Sequence, residues 1–224
     1  MQSNRNVGEH KLEMIAGVLL LSLTAVLVAT SARTAPVAAL TGSTGPTPAA
    51  SYGPEFAPGT YRWNKAAVTY RLANCPRALD CAAAHGAVRT AMAQWDAVIA
   101  LSLDEVTEGG DIVITWVSGN DGGPTTFDGR GRVTAYSIIP VSGGANPLDG
   151  DIYFDNDENW VAGPTARPFP KEAHLQTIAV HEIGHALGLP HSGDPASTMY
   201  PIYTNVRGLT QDSVLAVQGI YGAQ

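Results

Sequence analysis

Residues 181–191 read His181-Glu182-Ile183-Gly184-His185-Ala186-Leu187-Gly188-Leu189-Pro190-His191, and this stretch constrains the chain more than any other. Two histidines four residues apart lie one above the other on a helix face, so both imidazoles address one ion. The glutamate between them reaches a water on that ion. Gly188 falls where the helix has to stop, and glycine enters left-handed backbone there without a Cβ penalty. The reversal brings His191 in as a third ligand. Three neutral imidazoles leave one tetrahedral position open, which is the pattern of a catalytic rather than a structural zinc site. His181, His185 and His191 are therefore the expected ligands of one zinc ion, and Glu182 the expected general base.

Eight residues past His191, Met199 stands in Thr198-Met199-Tyr200-Pro201-Ile202-Tyr203. A methionine in a turn after the third histidine is the mark of metzincins. His191-Ser192, Asp194-Pro195 and Met199-Tyr200-Pro201-Ile202-Tyr203 together resemble the catalytic domain of the matrixins, the matrix metalloproteinase family. The resemblance implies an α+β, zincin-like fold with a twisted mixed five-stranded sheet and three helices. It implies a zinc metalloendopeptidase that hydrolyses peptide bonds of protein substrates, with the water activated by Glu182. It also implies that the Ala135 carbonyl helps hold that water, and that Pro201, Ile202 and Tyr203 wall a specificity pocket for a hydrophobic side chain. A catalytically inactive zinc-binding adhesion or interaction module is the alternative, and the retained Glu182 argues against it.

A chain of 224 residues accommodates one domain plus extensions. Its net charge of −7, with no block of like charge, argues against nucleic acid as a partner. Met14 to Thr30 is an apolar run preceded by Arg5 and Lys11 and followed by small residues ending at Ala32. Residues 1–32 read as a secretory signal peptide or an uncleaved membrane anchor, and both place the remainder outside the cytoplasm. The expected product is a secreted monomer, with membrane contact only through the N-terminal segment if that stays uncleaved. Residues 33–58 are rich in Pro, Gly and Ala with almost no charge, and read as a flexible linker. Residues 59–224 form the expected catalytic domain. Matrixins usually carry a pro-domain with a zinc-blocking cysteine, but no cysteine precedes Cys75.

Within that domain, Ala67 to Leu72 and Asp111 to Val117 read as strands, and Ala82 to Ile99, with Val88, Met92, Trp95 and Ile99 at helical spacing, as an amphipathic helix. Val133 to Ile139 reads as the edge strand above the cleft, to which an extended peptide adds by backbone hydrogen bonds. Glu172 to Leu187 is the metal-bearing helix, with His174 near its start as a surface or capping residue. Thr210 caps the last helix. Cys75 and Cys81 bracket a short loop, which in an exported chain reads as a disulfide.

Phe127-Asp128-Gly129-Arg130-Gly131 and Gly150 to Trp160 resemble the two halves of the matrixin calcium site. Asp128, Asp155 and Glu158 would supply carboxylates and Gly129, Gly131 and Val133 carbonyls, suiting a structural Ca2+ ion. The family's second, structural zinc uses histidines where this chain has Tyr136 and Tyr153, so that ion is expected to be missing. Ser213 also replaces the second of two adjacent aspartates, putting the family's contact with the methionine turn in question.

Overall fold

A computed structural model of the chain describes residues 37–41, 61–119, 126–163, 171–204 and 206–224, the first of these segments as backbone only. The apolar run Met14–Thr30 and most of the 33–58 segment lie outside the described residues. No helix among the described residues is long and apolar enough to cross a membrane.

The elements in order are β1 (Val37–Thr41), β2 (Ala67–Leu72), α1 (Cys81–Asp96), β3 (Ser102–Glu105), β4 (Ile112–Val117), β5 (Val133–Ile138), β6 (Ile152–Asp155), β7 (Trp160–Val161), β8 (Ala173–His174), α2 (Leu175–Ala186) and α3 (Gln211–Tyr221). Among the described residues the main sheet runs β1-β5-β6-β4-β2-β3. Strands β2 to β6 are the expected mixed five. β3 and β4 lie parallel to β2, β6 lies parallel to β4, and β5 is antiparallel to β6. A sixth strand, β1, comes from within the stretch read as linker and lies antiparallel on β5.

β2 alternates as its sequence demands, with Val68 and Tyr70 buried. α1 starts where the Asp80 carboxylate accepts from the Ala83 amide at 3.0 Å. Its buried stripe of Ala84, Val88, Ala91, Met92 and Trp95 recurs every three to four residues. The helix ends at Asp96, short of Ile99, although Ile99 is still buried. α2 lies across the same core, offering Leu175, Ile178, Ala179, Ile183 and Ala186. Each isoleucine taken wholly out of water contributes about 1.5–3 kcal/mol, and Ile112, Ile114, Ile152 and Ile178 are all fully buried here.

Tryptophan indoles tie the layers together through polar bonds. Trp95 Nε1 donates to the Val180 carbonyl at 2.9 Å, joining α1 to α2. Trp63 Nε1 donates to the Ala186 carbonyl at 2.8 Å, and the Tyr221 hydroxyl donates to the Leu187 carbonyl at 2.8 Å. The last carbonyls of a helix have no intrahelical partner, so these two bonds satisfy groups that burial would otherwise leave costly.

Candidate metal centre

The metal-bearing helix begins at His174, which is buried rather than on the surface. Its Nδ1 accepts from the Thr177 amide, and its Nε2 donates to the Gly163 carbonyl at 2.8 Å. One ring thus caps α2 and fastens it to the chain after β7. Along α2, Gly184 allows a close approach. A Cβ at that position would stand 2.4 Å from Met199 Sδ, so the methionine turn packs directly under the helix backbone. At the helix end Gly188 takes φ +95°, and a Cβ there would meet the Tyr61 carbonyl oxygen at 2.1 Å. The Gly188 and Leu189 amides close onto His185 and Gly184 carbonyls at 2.8 and 2.9 Å, and the chain reverses.

That reversal brings three imidazoles together. Ring centroids lie 4.6 Å apart for His181 and His185, 4.5 Å for His185 and His191, and 5.3 Å for His181 and His191. One ring nitrogen from each lies within 4.8 Å of the others. His181 Nδ1 donates to the Thr198 carbonyl at 2.8 Å and His185 Nδ1 to the Leu189 carbonyl at 2.7 Å. These bonds leave both Nε2 atoms as lone-pair donors, 3.0 Å apart and facing the centre. Burial is the main cause that lowers His181 to about 3 and His191 to about 4, and holds His185 well below its ordinary value. All three rings are neutral at physiological pH, the state a divalent ion requires. The residues present therefore fit a zinc ion.

Glu182 is fully buried beside them. The Ser137 hydroxyl lies 2.8 Å from its carboxylate Oε2 and 2.9 Å from its own backbone carbonyl. The sequence reading did not single out Ser137. It stands two residues from Ala135, hence on the same face of β5, and that spacing was the available signal. Ala135 is buried at the centre of β5, paired with Phe154 on one side and Leu40 on the other.

Pro201 is buried and Ile202 and Tyr203 are half-buried, with Tyr203 packed on the core. A cavity of about 440 Å³ opens nearby, lined among others by His174, Thr177, Arg207 and Gly208. Thr177 precedes His181 by one helical turn, which puts the cavity on the metal-facing side of α2.

The turn carrying Met199 is braced from α3. Ser197 Oγ donates to Asp212 Oδ2 at 2.6 Å, lies 3.4 Å from Ser213 Oγ, and accepts from the Met199 amide at 3.1 Å. Asp212 and Ser213 together thus keep a link to the methionine turn despite the lost aspartate. Thr210 occupies the N-cap position of α3 without a side-chain capping bond; its hydroxyl instead accepts from the Thr198 amide at 2.9 Å. The residue expected to cap α3 therefore helps hold the carbonyl that orients His181.

The candidate calcium residues are also brought together. The Gly131 amide donates to Glu158 at 2.6 Å and the Val133 amide to Asp128 at 3.3 Å. Asp155 and Glu158 are buried, and Asp155 Oδ2 and Glu158 Oε2 have no hydrogen-bond partner. Burial raises both carboxyl groups, Asp155 to about 6. Buried acidic oxygens without donors, beside a loop rich in carbonyls, suit a hard cation. Around Tyr136 and Tyr153 the structure instead stacks rings: Tyr136 lies 5.0 Å from Tyr153 and 5.1 Å from Phe127. Cys75 and Cys81 are in sulfur–sulfur contact, with Cα atoms 5.2 Å apart.

Comparison with known proteins agrees with this geometry. A family model described as matrixin matches residues 62–222. Stromelysin-2 of Rattus norvegicus is 35% identical over 174 residues, covering 75% of this chain and 34% of that protein. Matrix metalloproteinase-20 of Homo sapiens is 36% identical over 170 residues, covering 74% of this chain and 33% of that protein. Karilysin of Tannerella forsythia is 37% identical over 164 residues, covering 72% and 33%. The chain thus spans about a third of the length of these relatives.

Proposed function

The chain belongs to the matrixin family, and from that premise we propose that it is a zinc-dependent endopeptidase acting on proteins or peptides. The observation that carries the reading is the triad of neutral imidazoles, two of them buried, with two Nε2 lone pairs aimed inward and Glu182 between those two on the same helix. Zinc bound there supplies a Lewis acid that polarises a carbonyl and acidifies water. His181, His185 and His191 would hold it. Glu182 accepts a proton from the attacking water at its carboxylate and returns it to the leaving amine. Ser137 holds that carboxylate in place. The β5 edge orients an extended peptide through backbone hydrogen bonds, with the Ala135 carbonyl at the reacting centre. Pro201, Ile202 and Tyr203 wall the pocket beside it, and Met199 supports the histidines from below.

We further propose an exported protein with an oxidised Cys75–Cys81 pair, one zinc ion and a structural calcium ion. The calcium ligands are Asp128, Asp155 and Glu158 with carbonyls of Gly129, Gly131 and Val133. The apolar leader supports export, and the partnerless buried oxygens of Asp155 and Glu158 support the calcium. The Phe127–Tyr136–Tyr153 stack supports a single zinc, since it fills with aromatic rings the place where the family uses histidines.

Casein digestion with and without a zinc chelator, on the unaltered protein and on Glu182→Ala, tests the activity. Glu182→Ala is expected to retain one zinc and lose at least ~10²-fold in rate, the scale of general-base catalysis. Unchanged digestion by Glu182→Ala would remove this mechanism, and no digestion by the zinc-loaded native protein would favour the inactive binding module.

A further inference from the structure

β5 has two edges. β6 takes one, and the other is the edge open to an extended peptide. In this chain β1 lies on it. The register runs antiparallel, with Val37 opposite Ile138, Ala38 opposite Ser137, Ala39 opposite Tyr136 and Leu40 opposite Ala135. β1 and β5 both pack against α2, the helix that bears Glu182. The strand therefore occupies the cleft between sheet edge and metal helix, and its Ala38 position faces the residue that holds the Glu182 carboxylate.

The ladder is regular from Val37 to Leu40 and then slips. Leu40 pairs with Ala135 while Thr41 pairs with Val133, so the register skips Thr134. The extra residue is Thr134 on β5, which is left out of the pairing there. The Leu40–Thr41 link of β1 spans that break, directly after the pair Leu40 makes with Ala135, the residue whose carbonyl is read at the reacting centre. The segment Val-Ala-Ala-Leu-Thr carries no charge, so docking it in a buried cleft desolvates no ion. Because the strand belongs to the same chain, it presents itself at an effective concentration that can reach about millimolar.

We propose that the open edge of β5 is a strand-docking site whose built-in occupant is this chain's own Val37–Thr41 segment, and that the bond between Leu40 and Thr41 is one the site cuts. The proposal rests on the hydrolytic reading above. In the cut, the oxygen of one water joins the Leu40 carbonyl carbon and the bond to the Thr41 nitrogen breaks. The proton taken up by Glu182 goes to that nitrogen. The products are a Leu40 carboxylate and a Thr41 amine, with no oxidant or reductant needed. The piece ending at Leu40 then loses its tether, and the edge opens to other peptides.

The test uses the full chain in four forms: unaltered, Glu182→Ala, and each of these with Ala38→Pro and Ala39→Pro together. Neighbouring amides in a strand point to opposite edges, so one of the two prolines necessarily removes a donor toward β5. Bound zinc at one per chain certifies that each form is folded. The first readout is hydrogen exchange of the β5 amides in the two Glu182→Ala forms, which needs no activity. Exchange at the edge away from β6 is expected to be at least about tenfold slower without the prolines; equal rates would overturn docking. The second readout is intact mass. The unaltered chain is expected to yield a body beginning at Thr41, and Glu182→Ala to stay whole. An unaltered chain that digests casein while Leu40–Thr41 stays intact would overturn the cut. Slow β5 exchange with no hydrolysis of casein or of its own strand would overturn the cut together with the hydrolytic reading, while docking stood.

Discussion

The Ser137 hydroxyl lies 2.8 Å from the Glu182 carboxylate, so a strand residue holds the group proposed above as the base. One hydroxyl proton serves either that carboxylate or the Glu182 carbonyl at 2.9 Å, and both contacts keep β5 against that turn of α2. Ser137→Ala is expected to lower kcat by about tenfold, the worth of one hydrogen bond to a charged group. KM and zinc content should be nearly unchanged, because neither the peptide edge nor the imidazoles is altered. Steady-state kinetics with metal analysis decides it, and a matching rise in KM would show a disturbed cleft instead.

Gly184 leaves room for Met199 alone. Adding a Cβ 2.4 Å from Met199 Sδ and 3.1 Å from the Trp95 ring forces the turn away from the helix. Gly184→Ala should cost about 1–3 kcal/mol, the usual range for overpacking. Combining it with Met199→Ala should give less than the sum of the two single losses, because the second change removes the atom that clashes. Chemical denaturation of all four proteins measures the coupling; strict additivity would mean that the two residues do not touch.

Asp151 gives a pH dependence with a definite sign. Its carboxyl accepts from the Val113 amide at 2.8 Å and from the Tyr153 hydroxyl at 3.4 Å, but burial dominates and raises it from 3.8 to about 6. Asp149 adds to the rise and Arg71 opposes it. The folded protein thus holds this proton more tightly than the unfolded chain. The stabilisation is complete below the unfolded value and is lost as pH rises through the folded one. Relative to Asp151→Asn, the native protein should lose about 1 kcal/mol between pH 4 and 6, after allowance for solvent screening. Denaturation at several pH values checks it, and a constant difference would remove Asp151 as the cause.

Calcium removal should destabilise the domain even with zinc in place. A cation between the loop at Asp128–Val133 and the carboxylates of Asp155 and Glu158 offsets the entropy of ordering that loop. Chelating calcium should lower the melting temperature by about 5 °C or more for a domain of this size. Glu158→Gln should blunt the response. Elemental analysis should find one zinc and at least one calcium per chain; two firmly held zinc ions would contradict the single-zinc reading.

The imidazole cluster was legible because its members are local. His181 and His185 are one helical turn apart, and Gly188 and His191 follow within the same reversal, so spacing alone implies the geometry. The helix-stop role of Gly188 was equally readable. Ser137 was harder, since its partner lies 45 residues away and a serine in a strand has no distinguishing neighbour pattern. β3 was missed because only Leu103 of its four residues is buried, so no alternation shows. β1 was missed for a different reason. Backbone pairing on an open edge asks nothing of side chains, and Val-Ala-Ala-Leu-Thr reads the same docked or free. His174 was read as a cap or surface residue because its tie to the Gly163 carbonyl, which buries it, cannot be seen along the chain.

Trp63 and Tyr221 stand at opposite ends of the domain, yet both close on the last turn of α2, and the Trp63 amide donates to the Tyr221 hydroxyl at 3.1 Å. The point where the chain turns to deliver His191 is thus clasped by residues from both ends of the span that matches the family. Trimming from either margin therefore works directly on the metal centre. A shortened version lacking Tyr221 would release the Leu187 carbonyl and one lacking Trp63 the Ala186 carbonyl. Both losses would loosen the reversal at Gly188 from which His191 follows.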